Sequence, residues 1–190
     1  MWGGNLLNTE VTEDLIEKEN PDAIIVATGS VYVQPPIPGI ENALSVRAVD
    51  AYEVETGENV VVCGGGITGL ECALTLAKEG KSVTVVDQLK REDFIMEMPI
   101  FNKADLLDQL ENLNVVLIGG QRIQAVKDGV ETVDTVTGEK HFYPADSVVN
   151  ALGSNRMTAW QSASGKIRQC RCDHGGRLYG KRRYLLQSQS

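Results

Sequence analysis

Three glycines at the spacing Gly64-x-Gly66-x-x-Gly69 follow directly on the apolar run VVVC and lead into Thr68 to Glu79, where apolar residues recur at helical spacing. Glycines in that pattern are common, but at a strand-to-helix corner they acquire a chemistry. Gly64 would permit a tight turn, Gly66 would let the main chain approach a diphosphate, and Gly69 would let the helix lie close on its strand. Gly65 and Ile67 complete the loop. Its free backbone N–H groups and the positive end of the helix dipole would face two phosphate charges. Asp87 stands 18 residues beyond Gly69, at the end of the next apolar run. A carboxylate there can accept hydrogen bonds from ribose hydroxyls and would repel a 2′-phosphate. Asn59 to Asp87 therefore reads as a binding unit for NADH in preference to NADPH, a preference softened by Lys90 and Arg91. The competing reading, a plain turn beside a solvated aspartate, leaves the full fingerprint unexplained.

Other reactive residue types carry less. Glu71, on the same helix, admits two readings: an exposed helix residue, or a group beside the nicotinamide. Cys63 and Cys72 fall inside a strand and a helix, where a thiol behaves as a small hydrophobe. Cys170-x-Cys172-x-His174 places three soft ligands in five residues, but that is not a usual zinc spacing and no fourth ligand lies nearby, so no metal is expected. No C-x-x-C pair is present for disulfide exchange. His141 reads as a surface residue, and no catalytic acid, base or nucleophile can be named.

The elements that must position the loop follow from periodicity. Thr12 to Glu19 reads as a short helix capped by Thr12. AIIVATGS, after Asp22, reads as a strand buried on both faces. The prolines of QPPIPGI exclude helix and central strand, leaving an extended connector. Asn59 to Cys63, the helix ending at Gly80, and Ser82 to Val86 form a strand, helix and strand suited to a parallel crossover. Leu106, Leu107, Leu110 and Leu113 mark a second helix after Pro99, and Val115 to Ile118 a further strand. Residues 121–144 shift to short β-type runs separated by Asp128-Gly129 and Thr137-Gly138, which reads as a β-meander. Asp146 to Leu152 is one more buried strand, closed by Gly153. The fold class is α/β: a Rossmann-like domain with a parallel sheet and a meander.

Composition sets the outer limits. The 190 residues, 42% hydrophobic and 23% charged, suit a globular chain, and no apolar run approaches the roughly 20 residues that span a bilayer. The start shows no export signal, so the expected compartment is the cytoplasm. The net charge of -8 conceals seven Lys and Arg against one Asp in residues 158–190, which leaves -14 for the body. An acidic body argues against nucleic acid as a partner. Neither sequence pattern nor charge specifies an oligomeric state.

Three segments in order, PDAIIVATGS, VVVCGGGITGLECALTLAKEGKSVTVVD and PADSVVNALGSNR, resemble the flavoproteins with two dinucleotide-binding domains, the pyridine nucleotide-disulfide oxidoreductase-like group. LNTEVTEDLIEKENPDAIIVATGS followed by PPIPGI is most similar to the C-terminal half of the NADH:flavin oxidoreductases of the 2-enoate reductase and 2,4-dienoyl-CoA reductase kind. The resemblance implies residues 1–56 as part of an FAD-binding domain with its connector and 57–157 as the NAD-binding domain. It places Thr28 and Gly29 at the FAD-side crossing and Gly153 at the end of the last NAD-domain strand. It further implies FAD as hydride acceptor, with FMN and an iron-sulfur cluster in an N-terminal flavin barrel that reduces a C=C bond. The FAD domain's own glycine fingerprint, the cluster cysteines and the barrel are missing from this sequence, so the chain alone is expected to bind NADH without turnover.

Residues 158–190 depart from the family pattern, which returns with a strand and a Gly-Asp motif. They read as a disordered basic tail by composition. With one permitted choice of degenerate codons, back-translating Gly165 to Tyr179 and reading one base later gives AKFDNVDVIMVGDC, so they also read as a shifted frame. The alternatives to an enzyme portion are a truncated, non-catalytic fragment and a nucleotide-binding module without turnover.

Overall fold

The computed structural model describes residues 6–21, 24–27, 30–50, 53–156 and 184–187. Thr28, Gly29, Cys170, Cys172, His174 and most of the basic tail lie outside them. The chain divides into two compact units, one made of Met1–Val31 with Asn155–Ser190 and the other of Tyr32–Ser154.

In the first unit, helix α1 (Glu13–Glu19) begins where the Thr12 side chain accepts the Leu15 N–H at 3.3 Å. Glu13 and Asp14 sit at the positive end of its dipole. The helix ends at Asn20, whose φ of 40° is the left-handed conformation that closes helices. Strand β1 (Ile24–Ala27) pairs in parallel with Tyr184–Gln187. Strand β2 (Ser30–Tyr32) follows in sequence.

The second unit carries the site. After the proline connector, Gly39 at φ 84° leads into a short 3-10 turn, Ile40–Asn42, and buries Ile40. Strand β3 (Leu44–Ser45) and the five-residue helix α2 (Val46–Asp50) come next. Neither was foreseen, because elements this short show no period. Then run β4 (Asn59–Cys63), α3 (Ile67–Lys78), β5 (Ser82–Val86), α4 (Ile100–Asn112) and β6 (Val116–Ile118). The meander is β7 (Gln121–Val126), β8 (Gly129–Asp134) and β9 (Lys140–Pro144), antiparallel throughout. Strand β10 (Ser147–Asn150) returns to the main sheet, and the chain then re-enters the first unit at Asn155, within β11 (Ser154–Arg156), the strand that pairs with β2. The predicted strand up to Leu152 thus stops at Asn150, whose side-chain oxygen takes the Leu152 N–H and turns the chain.

The main sheet is parallel, in the order β3-β10-β4-β5-β6. Alternation along β4 decides its two faces. Val60 and Val62 pack with Leu70, Ala73 and Leu76 of α3 and Leu106 and Leu110 of α4. Val61 and Cys63 pack with Ile123, Val126 and Val130 of the meander and with Ile40. Helices therefore cover one face and the meander the other, which explains the unbroken valine run. Each buried Val, Leu or Ile side chain among them contributes about 1.5–3 kcal/mol. Among the described residues no helix is long and apolar enough to cross a membrane.

Candidate functional site

The glycine loop sits at the C-terminal end of β4. Gly64 has φ 125°, and a side chain there would bring a Cβ to 2.4 Å from the Ala151 carbonyl oxygen. The Gly64 N–H donates to the Val86 carbonyl at 2.9 Å, tying the loop to β5. Gly69 lies against the loop's own backbone, where a Cβ would stand 2.0 Å from the Gly64 oxygen. Gly65 is needed for a reason the motif does not state. The ring of Phe94, fully buried, lies 2.8 Å from the position its Cβ would take.

Gly66 differs from all three. Its φ of -74° suits any residue, and a Cβ there would meet nothing within 4 Å among the described residues. It is exposed, as are Ile67 and Thr68. It caps α3 without a side-chain hydrogen bond, and the first turn carries no acid. A helix start with this much open backbone is a natural seat for an anion.

Asp87 closes the other side of the loop. One carboxylate oxygen accepts the Gly65 N–H at 2.7 Å and the other accepts the Leu89 N–H at 2.8 Å. Its backbone is held by the end of β6 and the start of β7, with its N–H on the Ile118 carbonyl and its carbonyl taking the Gln121 N–H. The structure thus brings Asp87 into contact with the glycine fingerprint across 22 residues. Lys90 and Arg91 are exposed on the loop beyond it.

The remaining candidates are placed as follows. Glu71 is exposed on α3. Gly153 takes φ 111° between β10 and β11, and its carbonyl accepts the Val33 N–H at 3.0 Å. Beside it, buried Asn150 donates its side-chain N–H to the Val33 carbonyl at 3.1 Å. His141 is half-buried in β9, opposite Thr132. Cys63 and Cys72 are free and buried. Burial pushes the Cys63 thiol up to about 12, with the Asp87 charge adding to it. Cys72 is pushed up to about 12 by burial and then by Asp50. Neither thiol is available as a thiolate nucleophile near neutral pH. Among the described residues no cluster of His, Cys, Asp or Glu is set to hold a metal.

Sequence reasoning missed Phe94, which no motif marks, and the Gly119-Gly120 corner after β6. The apolar residues of the run Phe94-Ile95 were the available signal. Both are buried, and Ile95 adopts φ 45°, a conformation that strains a β-branched residue.

Residues 5–179 match a family described as pyridine nucleotide-disulphide oxidoreductase. A "NADH oxidase" of Thermoanaerobacter brockii is 33% identical over 144 residues, which are 72% of this chain and 22% of that protein. A "cinnamate reductase" of Clostridium sporogenes is 29% identical over 148 residues, 77% of this chain and 22% of that protein. Among solved structures, a complex of 2-naphthoyl-CoA reductase with 2-naphthoyl-CoA superposes with a TM-score of 0.69 at 33% identity, covering 83% of this chain and 24% of that one. The chain thus spans about a fifth of the length of the curated relatives it matches.

Proposed function

Because the chain belongs to the pyridine nucleotide-disulphide oxidoreductase family, we propose that residues 57–157 are the NADH-binding portion of a flavin-dependent oxidoreductase. The observation that carries this reading is Gly66. Nothing among the described residues requires a glycine there, so we explain the missing side chain by a group that approaches the backbone from outside. A pyrophosphate fits the open N–H groups at the start of α3. Beside it, the Asp87 carboxylate keeps acceptor capacity beyond its two backbone bonds and suits donation by ribose hydroxyls. A 2′-phosphate would meet like charge, which favours NADH over NADPH.

In this reading the residues bind and orient. Gly66 to Thr68 offer open N–H groups to the diphosphate within the loop that Gly64, Gly65 and Gly69 build, and Asp87 accepts from the ribose; Glu71, exposed on the same helix, is the residue assigned to the nicotinamide side, and Gly153 closes the last strand of the NAD-binding domain. Bound NADH supplies the hydride, with FAD as its acceptor. Thr28 and Gly29 belong to the FAD side, and FMN and an iron-sulfur cluster to a flavin-barrel portion of the complete enzyme, a cytoplasmic protein. The reductases among the relatives act, by their names, on cinnamate and on 2-naphthoyl-CoA. We extend from them an enoate or enoyl-CoA type of C=C bond as the complete enzyme's substrate.

The test is a fluorescence titration of NADH into the folded chain. Saturable binding that weakens in Asp87→Asn is expected; a flat titration of the unmodified chain rejects the reading.

A further inference from the structure

Gly119 directly follows β6 and takes no positive φ, so its backbone would tolerate a side chain. The space around it would not. A Cβ on Gly119 would stand 2.3 Å from the Arg91 nitrogen, 2.7 Å from the Leu89 oxygen and 2.8 Å from the Lys90 carbonyl carbon. All three are backbone atoms of the single loop that follows Asp87, and backbone does not yield as a flexible side-chain end does. The next residue, Gly120, donates its N–H to the Leu89 carbonyl at 2.8 Å, and its own carbonyl accepts the Thr135 N–H at 2.8 Å. The loop at 89–91 is therefore pressed on Gly119 and held there by Gly120.

That loop bears directly on the carboxylate. The Leu89 N–H is one of the two backbone donors that orient Asp87, the other being that of Gly65. A displacement of Leu89 to Arg91 removes the first donor, frees the carboxylate to rotate, and loosens its hold on the glycine loop.

We infer that Gly119 is a positioning residue for nucleotide selection, which lets the loop 89–91 seat closely enough to aim Asp87 at the adenosine ribose. The inference rests on the NADH reading above. Its consequence is specific to the ribose. NADH gains from Asp87 through its hydroxyls, whereas a 2′-phosphate is repelled by it. A misaimed carboxylate loses both effects, so the preference itself collapses.

The experiment measures NADH and NADPH affinity by fluorescence titration in the full chain, in Gly119→Ala, in Leu89→Pro and in Gly57→Ala. Leu89→Pro removes the N–H donor at a half-exposed residue without crowding the loop, and so covers the case in which Gly119→Ala does not fold. Gly57→Ala is the control for crowding alone, since its Cβ would stand 2.4 Å from the Asp146 Cβ, before the start of β4, whereas the loop 89–91 follows the end of β5. The ratio of NADH to NADPH affinity is expected to fall about tenfold in Gly119→Ala and Leu89→Pro, the size of one charge-assisted hydrogen bond. It stays unchanged in Gly57→Ala. An unchanged ratio in a folded Gly119→Ala or in Leu89→Pro overturns the inference and leaves the NADH reading standing. Absence of NADH binding by the unmodified chain overturns both.

Discussion

The two edges of the parallel sheet use the same materials to opposite ends. At the edge where the strands begin, the loop groups around Gly57, Asn59 and Lys81 bond to the protein itself. One Asp146 carboxylate oxygen accepts both the Asn59 N–H at 2.8 Å and the Asn59 side-chain amide at 3.0 Å. The Lys81 ammonium donates to the carbonyls of Thr56 and Gly57, and the Gly57 N–H donates to the Ser147 hydroxyl at 2.9 Å. At the edge where the strands end, Asp87 likewise accepts two backbone N–H groups, yet the start of α3 stays uncapped and exposed. Each edge also has a glycine without positive φ, Gly57 and Gly66. A side chain on the first would strike Asp146 and on the second would touch nothing. A glycine enforced by its neighbours reports on packing. A glycine that its neighbours do not need reports on what arrives from solvent.

Substitutions at the two edges should separate these roles. The largest effect belongs to Gly69→Ala, whose Cβ would collide with the Gly64 carbonyl. Denaturant unfolding should show a loss of about 3 kcal/mol, together with loss of NADH binding, because helix and loop must part. Gly57→Ala comes next, with a loss of about 1–2 kcal/mol from crowding Asp146 and an unaltered NADH titration. A weakened titration there would erase the distinction between the edges. Gly66→Ser inverts the pattern. A serine at this extended N-cap position accepts an N–H of the first turn, so thermal stability should hold or rise by about 0.5 kcal/mol. NADH affinity should fall about tenfold, because side-chain atoms now occupy the diphosphate's approach. Unimpaired NADH binding in Gly66→Ser would mean that the open loop is not the seat.

The smallest effect is in pH. The backbone N–H of Asn59 holds the Asp146 carboxyl below the usual carboxylate range, and those of Thr137 and Val136 do the same for Asp134. A folded-state pKa lowered in this way adds stability above the unfolded pKa of about 3.9, which is lost as pH falls through the folded value. Melting temperature should therefore decline on acidification below that range, and Asp146→Asn should flatten part of the decline. An acid limb identical to that of the unmodified chain would show that Asp146 does not close its edge.

Most of the architecture was legible because burial leaves a local trace. Continuous valines announced β4 and β5, leucines at helical spacing announced α4, and the switch to short runs with Gly turns announced the meander. Thr12 was readable as a cap because its partner, the Leu15 N–H, is three residues away. By contrast β3 and α2 were invisible, their two and five residues being too few to display a period. The crowding of Phe94 on Gly65 and of Arg91 on Gly119 was equally hidden. Each joins residues 28 or 29 apart in the chain, and no spacing rule relates them.

The string of residues alone established an α/β domain and a glycine-rich strand-to-helix corner followed by Asp87, since these follow from periodicity and short-range backbone geometry. It could not say which glycines the protein itself demands. That was settled when folding brought Ala151 to Gly64, Phe94 to Gly65 and the Leu89–Arg91 backbone to Gly119, and left Gly66 facing open space. The reason is steric: a missing Cβ acquires meaning only from the atoms that would have met it, and here most of those atoms come from distant parts of the chain.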